Sequence, residues 1–545
     1  MEISLVKLKR SISNKLKSKY RQFIIKCLYI FKQKRVNNKE TILFWNPGGG
    51  GWPSLFDLEG VIASSLKLRG HEIHAIIFDQ SYYAYTNRDI KNGLENNKSK
   101  TDSFKYSREC VLKAKEFGIE YTLFGDYLCE SEKNDAYQIA SDISYESLES
   151  FNFDGISIGP NIKSSIIRYL KGKDYTNDDI YILKEYTYAA ILNTIVIKKV
   201  IKKVKPSKAF MSHAIYVDWG PAMKALISKN IPTTTYASGY KVGTFYFKHI
   251  TKPELIEVIG CETSTWNSAK ESPLLEAEIK EVDSFFYKRY YKNNCDDIKF
   301  DLNRTSSISD FKNRYNLDKE IRPIWGVFSH INWDASRDYA PQIYENYNVW
   351  MEKTIESIIN FDNVIWLIKI HPCESLNPSK YTLTERLKNI DLPDHIKIIP
   401  AYENLNPQLF QEMIDGGVTT VGTIGLEMAL IGKPIILAGQ AHYSGKGFTI
   451  DCRDHSDYII QLKNADKLSN LSQKQVNNAY KYAHLILFRK QIRLPILYRK
   501  NSSSWNIQTS KILDVIPNRE KNISFICNSF LSNNDYALKS PQYLD

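Results

Sequence analysis

Residues 418 to 437 read Val-Thr-Thr-Val-Gly-Thr-Ile-Gly-Leu-Glu-Met-Ala-Leu-Ile-Gly-Lys-Pro-Ile-Ile-Leu. The β-branched run Val418 to Val421 predicts a strand, and Gly422 predicts a tight turn. A short apolar helix starts at about Ile424 and stops at Gly432, and a second strand follows Pro434. Strand, turn, helix, turn, strand is one unit of a parallel α/β sheet. Gly422 and Gly425 allow a ligand close to the backbone. The helix start offers N–H groups to a phosphate, with Thr423 at the turn. Glu427 is a carboxylate among Leu426, Met428, Ala429 and Leu430, and it needs polar partners, which ribose hydroxyls would supply. The plainer alternative is a polar residue on the solvent side of an ordinary αβ turn.

Outward from this unit the same alternation recurs. Towards the N-terminus of the second half lie a strand at 323 to 329, a helix near 343 to 360, strands at 364 to 370 and 396 to 399, and a helix near 406 to 414. The first half opens with the strand Thr41 to Asn46, the loop Asn46-Pro47-Gly48-Gly49-Gly50-Gly51-Trp52-Pro53, a helix from about 54 to 69, and the strand Glu72 to Phe78. Further αβ units end in the strands 120 to 124, 208 to 212 and 232 to 236. The expected architecture is α/β: two Rossmann-like domains facing each other across a cleft. The first spans 41–295, a polar linker 296–320, and the second 321–470. A C-terminal helix and tail, 471–545, are expected to pack back on the first domain.

The 545 residues are too many for one core, and 43% hydrophobic content supports packed domains rather than disorder. The eight cysteines are scattered singly, with no Cys-x-x-Cys pair, which argues against a zinc ribbon or a disulfide framework and suits a reducing cytoplasm. No run of about 18 uninterrupted apolar residues occurs, so no transmembrane helix is expected. The net charge of +12 is concentrated at the start. Residues 1–40 carry twelve Lys or Arg against Glu2 and Glu40 alone. Apolar residues recur between them at spacings of three and four. A basic amphipathic helix on an anionic membrane surface is the expectation, with a peripheral position at the inner face of the cell membrane. The apolar run Phe23 to Phe31 is broken by Lys26 and lacks a cleavage site, so it is no secretory signal. No second basic, aromatic-interleaved surface appears, so nucleic acid is not an expected partner.

In parallel sheets ligands bind beyond the carboxyl ends of the strands. The strand-end loops therefore carry the candidate chemistry. Gly48, Gly49, Gly50, Gly51 and Trp52 form a loop with free backbone donors, matching neither a phosphate-binding P-loop nor a dinucleotide fingerprint, and with Tyr216 and Asp218 are expected to contact an acceptor. Asp57 and Glu59 follow it, and either is a candidate general base, or a simple helix-dipole partner. His213, Tyr216 and Asp218 share one loop and can bind sugar hydroxyls or move a proton. Ser329, His330, Trp333 and Asp334 follow the first strand of the second domain and are expected donor contacts. His371 and Pro372 follow the next, where a histidine can donate to a phosphate oxygen of a leaving nucleotide. Tyr443 and Lys446 lie in a glycine-rich loop after the strand at 435 to 438. No His-x-x-x-His or Asp-x-Asp pair supports a metal site, so no cofactor is expected.

Phe328-Ser329-His330 with Trp333-Asp334, His371-Pro372, Gly425 to Pro434, and His442-Tyr443 with Gly445 and Gly447 together resemble the capsule polysaccharide biosynthesis family, which contains bacterial Kdo transferases of GT-B architecture. The resemblance covers about a quarter of the chain. It implies a glycosyltransferase using a nucleotide-sugar donor, CMP-Kdo being the best-known case. It places His371 at the donor phosphate and Glu427 at the ribose, and it implies a lipid-linked or oligosaccharide acceptor. Some CMP-sugar transferases carry an Asp-Asp/Glu-Gly motif; this chain has Asp57-Leu58-Glu59-Gly60, with one residue inserted. The rival expectations are a sugar-nucleotide epimerase of the same plan and a non-catalytic scaffold of polysaccharide assembly.

Overall fold

The computed structural model describes residues 2–32, 36–46, 55–79, 81–82, 84, 98–253, 257–292, 306–335, 338, 341–376, 381–501 and 504–539. The expected acceptor loop, Gly48 to Trp52, lies outside them.

Two sheets organise the chain. In the first, β1 (Thr41–Asn46), β2 (Glu72–Ile77), β3 (Glu120–Leu123), β6 (Lys208–Ser212) and β7 (Thr233–Ser238) run parallel in the order β7-β6-β1-β2-β3. A small antiparallel hairpin, β4 (Asn152–Phe153) and β5 (Ile156–Ser157), stands apart. Helices fill the connections: α2 (Leu55–Leu68), α3 (Lys98–Phe117), α4 (Glu130–Asp142), α5 (Gly159–Leu170), α6 (Ile180–Val204) and α7 (Tyr216–Ser228). The strands are buried on both faces, as continuous apolar runs require. Leu43 and Trp45 join one core layer with α6 and α7, while Ile42 and Phe44 join the other with α2 and α3.

The second sheet is wholly parallel: β9 (Ile324–Phe328), β10 (Ile365–Lys369), β11 (Ile396–Ile399), β12 (Gly416–Thr419), β13 (Ile435–Leu437) and β14 (Ile450–Asp451). Their order is β11-β10-β9-β12-β13-β14, the doubly wound 3-2-1-4-5-6 arrangement of a Rossmann sheet. The first sheet begins with the same reversal between β1 and β6. Each domain therefore has one switch point where a crevice opens.

Two antiparallel strands extend the first sheet: β8 (Thr244–Ile250) beside β7, and β15 (Ile492–Arg493) beside β8. The helix Lys521–Ser532 packs on α2 and completes that core. Residues from Val258 to Phe285 behave differently from the sequence expectation. Val258, Trp266, Val282 and Phe285 are buried with Leu426, Met428 and Tyr482 in the core of the second domain. The helices Thr263–Glu271 and Glu276–Tyr287 pack on Gln473–His484, which itself packs on Ile424–Leu430 of the second domain and not, as the sequence suggested, on the first; their shared core also takes in Tyr246 of β8.

The segment Asn177–Val204 is long and apolar enough to cross a membrane, but 67% of its most apolar window is buried inside the first domain. It packs against α4, α5 and α7 as a core helix.

Candidate active site

The switch point of the second sheet lies between β9 and β12, and the side chains that follow these strands meet there. His330, after β9, pairs through Nε2 with Thr419 Oγ1 at the end of β12 (3.1 Å). Its ring stacks on Tyr347 at 4.5 Å. His371, after β10, is tied to the same place: its backbone N–H donates to Ser329 Oγ (2.9 Å). Three of the loops singled out in the sequence thus converge because their strands are neighbours in the sheet.

They line a cavity of about 200 Å³ together with groups that the sequence did not reveal. Arg289 and Tyr290 enter from the end of the Glu276–Tyr287 helix, Gln411 from the helix Pro407–Met413, and Lys369 from the last position of β10. The apolar wall is built from Phe328, Leu405, Phe410 and Ile424.

His371 Nδ1 accepts the backbone N–H of Cys373 (3.1 Å). In the neutral ring this leaves the proton on Nε2. Burial, with help from the Lys369 charge, pulls the His371 pKa down to about 4, so the ring is neutral at pH 7. His330 is held neutral in the same way, with burial foremost and a pKa of about 3. Lys369 Nζ donates to the carbonyls of Ile370 (3.1 Å) and Pro400 (2.8 Å). The lining sets Arg289 and Lys369 against two carboxylates, Glu427, which pairs with Arg289, and Glu403, which pairs with Arg314, and adds a neutral histidine N–H donor beside an apolar wall.

Glu427 is 8% exposed and its partners come from the protein. Arg289 Nη1 (3.2 Å) and Thr423 Oγ1 (3.1 Å) donate to Oε1; Gln411 Nε2 (3.1 Å) and the Tyr290 hydroxyl donate to Oε2. The need for ribose hydroxyls inferred from the sequence is met instead by residues up to 138 positions away. Glu427 in turn holds Arg289 at the cavity wall.

The glycine turn is also more structural than the sequence suggested. Gly425 N–H donates to Gly422 O (3.1 Å), so the helix start is partly satisfied from within. An added Cβ at Gly425 would overlap the Tyr443 ring. Tyr443 is fully buried, and its hydroxyl donates to Gly422 O. It supports the turn from below and does not line the cavity. Lys446 is also elsewhere, with Nζ 5.8 Å from the Trp266 ring and 5.9 Å from that of Tyr482.

Trp333 and Asp334 face the other domain. Arg168 of α5 forms an ion pair with Asp334, with its guanidinium 5.5 Å from the Trp333 ring and 5.0 Å from that of Tyr216. The Tyr216 hydroxyl donates to Asp334 Oδ1 (3.3 Å) and accepts from Ala335 N–H (3.2 Å). An expected donor contact and an expected acceptor contact are therefore joined as one clasp across the cleft. The loop that supplies Tyr216 is held in unusual backbone: His213, Ala214 and Tyr216 all have positive φ (52°, 61° and 55°). Such strain in non-glycine residues costs about 1–3 kcal/mol each and gathers at functional sites.

His213 lies in the field of both Arg168 and Asp334, and burial pulls its pKa down to about 4. Behind it runs a hydrogen-bonded chain. Ser212 Oγ pairs with His213 Nδ1, the Tyr236 hydroxyl hydrogen-bonds Ser212, and it donates to Glu59 Oε1 (2.9 Å). Asn46 Nδ2, at the end of β1, donates to Glu59 Oε2 (2.5 Å). Two catalytic candidates, Glu59 and His213, are thereby linked. Asp57 is not part of this group. Two residues on a helix point about 200° apart, and Asp57 faces α3, where it pairs with Lys113. Its assignment as a cleft base is corrected accordingly. Asp218 is 1% exposed beneath the loop, against Tyr82, which places it in the core and not at an acceptor surface.

Burial raises the Glu59 pKa to about 8, despite hydrogen bonds that oppose the shift. A carboxyl that binds its proton more tightly when folded stabilises less as the proton leaves. Stability contributed by this group is expected to be full below about pH 4.5 and to fall as pH rises towards 8. Denaturation curves of the wild type and Glu59→Gln across that window should diverge steadily; parallel curves would remove the shift.

Among the described residues no group of three or more His, Cys, Asp or Glu side chains is placed to hold a metal ion. No protein-family model matches the chain, and no curated protein matches it in sequence. Among solved structures, it is similar to the beta Kdo 2,4 transferase KpsC of Thermosulfurimonas dismutans, with 13% identity, 57% of this chain and 87% of that one covered, and a TM-score of 0.33. The beta Kdo 2,7 transferase of the same KpsC gives 14% identity, coverage of 59% and 88%, and a TM-score of 0.32. The UDP-GlcNAc 2-epimerase of Neisseria meningitidis gives 10%, 81% and 97%, and 0.25.

Proposed function

We propose that this chain is a GT-B-type glycosyltransferase that moves a sugar from a nucleotide donor to a glycan or lipid-linked acceptor in capsule or other surface polysaccharide synthesis. The observation that carries the reading is the cavity at the β9–β12 switch point, where neutral His371 offers Nε2–H beside Arg289 and Lys369. Transfer breaks the bond between the anomeric carbon and the phosphate oxygen, and negative charge grows on that phosphate. His371, Arg289 and Lys369 stabilise the charge as it develops. Glu427 acts by holding Arg289 in place. The acceptor hydroxyl attacks the anomeric carbon from the first-domain side, and we assign the role of base to His213, hydrogen-bonded through Ser212 and Tyr236 to Glu59. A CMP-linked acidic sugar such as Kdo is the donor class that the family resemblance favours.

Melting curves with millimolar CMP, CDP, UMP, UDP, GDP and dTDP test this directly. A ligand at 100 times its dissociation constant stabilises by about 2.7 kcal/mol. CMP alone should raise the melting temperature. A rise with UDP or GDP instead replaces the donor and keeps the reaction class. No rise with any nucleotide sinks the reading. Free nucleotide released with an altered sugar and no acceptor would identify an epimerase.

A further inference from the structure

The first helix is α1 (Glu2–Lys32), and from Asn14 to Lys32 it is docked along one side and bare along the other. Its inner face is fixed to the first domain. Ile25 and Leu28 are buried, Arg21 pairs with Glu116 of α3 (2.5 Å), and the Tyr29 hydroxyl donates to Phe117 O (2.6 Å). The apolar residues of α1 therefore divide into two sets, which composition alone does not separate. The outward set is Leu16, Tyr20, Phe23, Ile30 and Phe31, between 54% and 76% exposed. Positions 16, 20, 23, 30 and 31, with half-buried Cys27 between, step by three, four or seven apart from the adjacent pair at the end, so these side chains fall in one stripe opposite the buried face. Single exposed apolar side chains need no explanation, but an aligned row of five does.

Charge decides what covers it. Lys17 borders the stripe on one side, and Lys19 and Lys26 border it on the other; all three are exposed. A second copy of this helix would bring lysine against lysine along both edges of the seam, a like-charge arrangement that opposes self-association. An anionic lipid surface satisfies both parts: acyl chains take the stripe and headgroups meet the lysines. We propose that the outward face of α1 is a membrane-docking surface for anionic lipid, lying flat in the interface while its inner face stays attached to the first domain. Because α1 is held by Arg21 and Tyr29, docking also fixes the orientation of the protein on the bilayer. The proposal rests on α1 alone and stands or falls apart from the transfer reading.

Co-sedimentation of the full chain with phosphatidylcholine vesicles, with and without phosphatidylglycerol, tests it. The wild type should bind only the vesicles containing phosphatidylglycerol. Phe23→Ser with Ile30→Ser should lower the bound fraction about tenfold or more. Lys17→Glu with Lys19→Glu and Lys26→Glu should abolish the preference for anionic lipid. These side chains are exposed, so an unchanged melting temperature verifies the fold of each variant. Wild type that stays in solution with anionic vesicles overturns the proposal, as does undiminished binding by the serine variant. So does a dimer, dissolved by the same serines, in protein that binds no vesicles.

Discussion

Replacing Glu427 by alanine should destabilise the second domain by about 3 kcal/mol or more, the usual result of removing one partner from a buried ion pair. Four donors converge on this carboxylate from three separate segments: Thr423 in its own turn, Gln411 from the preceding helix, and Arg289 with Tyr290 from the other side of the cavity. Alanine removes the carboxylate that all four share; Gln411 Nε2 keeps the Tyr290 hydroxyl (3.0 Å), but Arg289 loses its counter-charge at 18% side-chain exposure. At roughly 2–4 °C per kcal/mol for a domain of this size, the melting transition should drop by about 6–12 °C. Nucleotide-dependent stabilisation should vanish with it, because Arg289 is no longer held at the cavity. Glu427→Gln retains the shape and one acceptor oxygen and should lose markedly less stability. If the alanine variant melted within a degree or two of the wild type, the network would not be what shapes the cavity.

The second large effect concerns chemistry. His371→Asn should lower turnover by about 10²-fold or more, the common cost of deleting one donor to a developing oxyanion. Asparagine can still accept the Cys373 N–H that His371 Nδ1 now accepts. It lacks the donor at the Nε2 position. The loss should therefore fall on kcat, with the melting temperature little changed and the apparent donor KM moving less than kcat. Near-normal turnover in this variant would remove His371 from the reaction. Because the imidazole is already neutral far below pH 7, the wild-type rate should show no titration of this group between pH 5 and 8.

Strand-end loops singled out in the sequence come together where neighbouring parallel strands do the gathering. His330, His371 and the Thr423 to Glu427 turn follow β9, β10 and β12, which lie side by side. The loop after β13 failed the same test: Tyr443 is tucked beneath Gly425, and Lys446 lies over aromatic rings away from the cavity. Being at a strand end places a loop on the right edge of the sheet but does not say which way each side chain turns. Asp57 shows the same gap on a helix, since two residues of register separate the carboxyl that meets Lys113 from the one that meets Asn46 and Tyr236.

Arg289 and Tyr290 carried no signal at all. They sit in Lys288-Arg289-Tyr290-Tyr291-Lys292, which reads as a solvated helix end, and only the packing of the preceding helix against the second core brings them to Glu427. Arg168 likewise looks like an ordinary helix residue until Asp334 arrives from 166 positions further on. Alternating strand and helix periods, the glycine turns and the basic start of α1 are local properties, encoded within ten or twenty residues, and these were legible directly. Which carboxylate is paired, which histidine is neutral and which face of α1 is bare depend on groups hundreds of residues apart. Those were settled only when burial brought the segments together, because desolvation forces each polar group to take whatever partner the packing supplies.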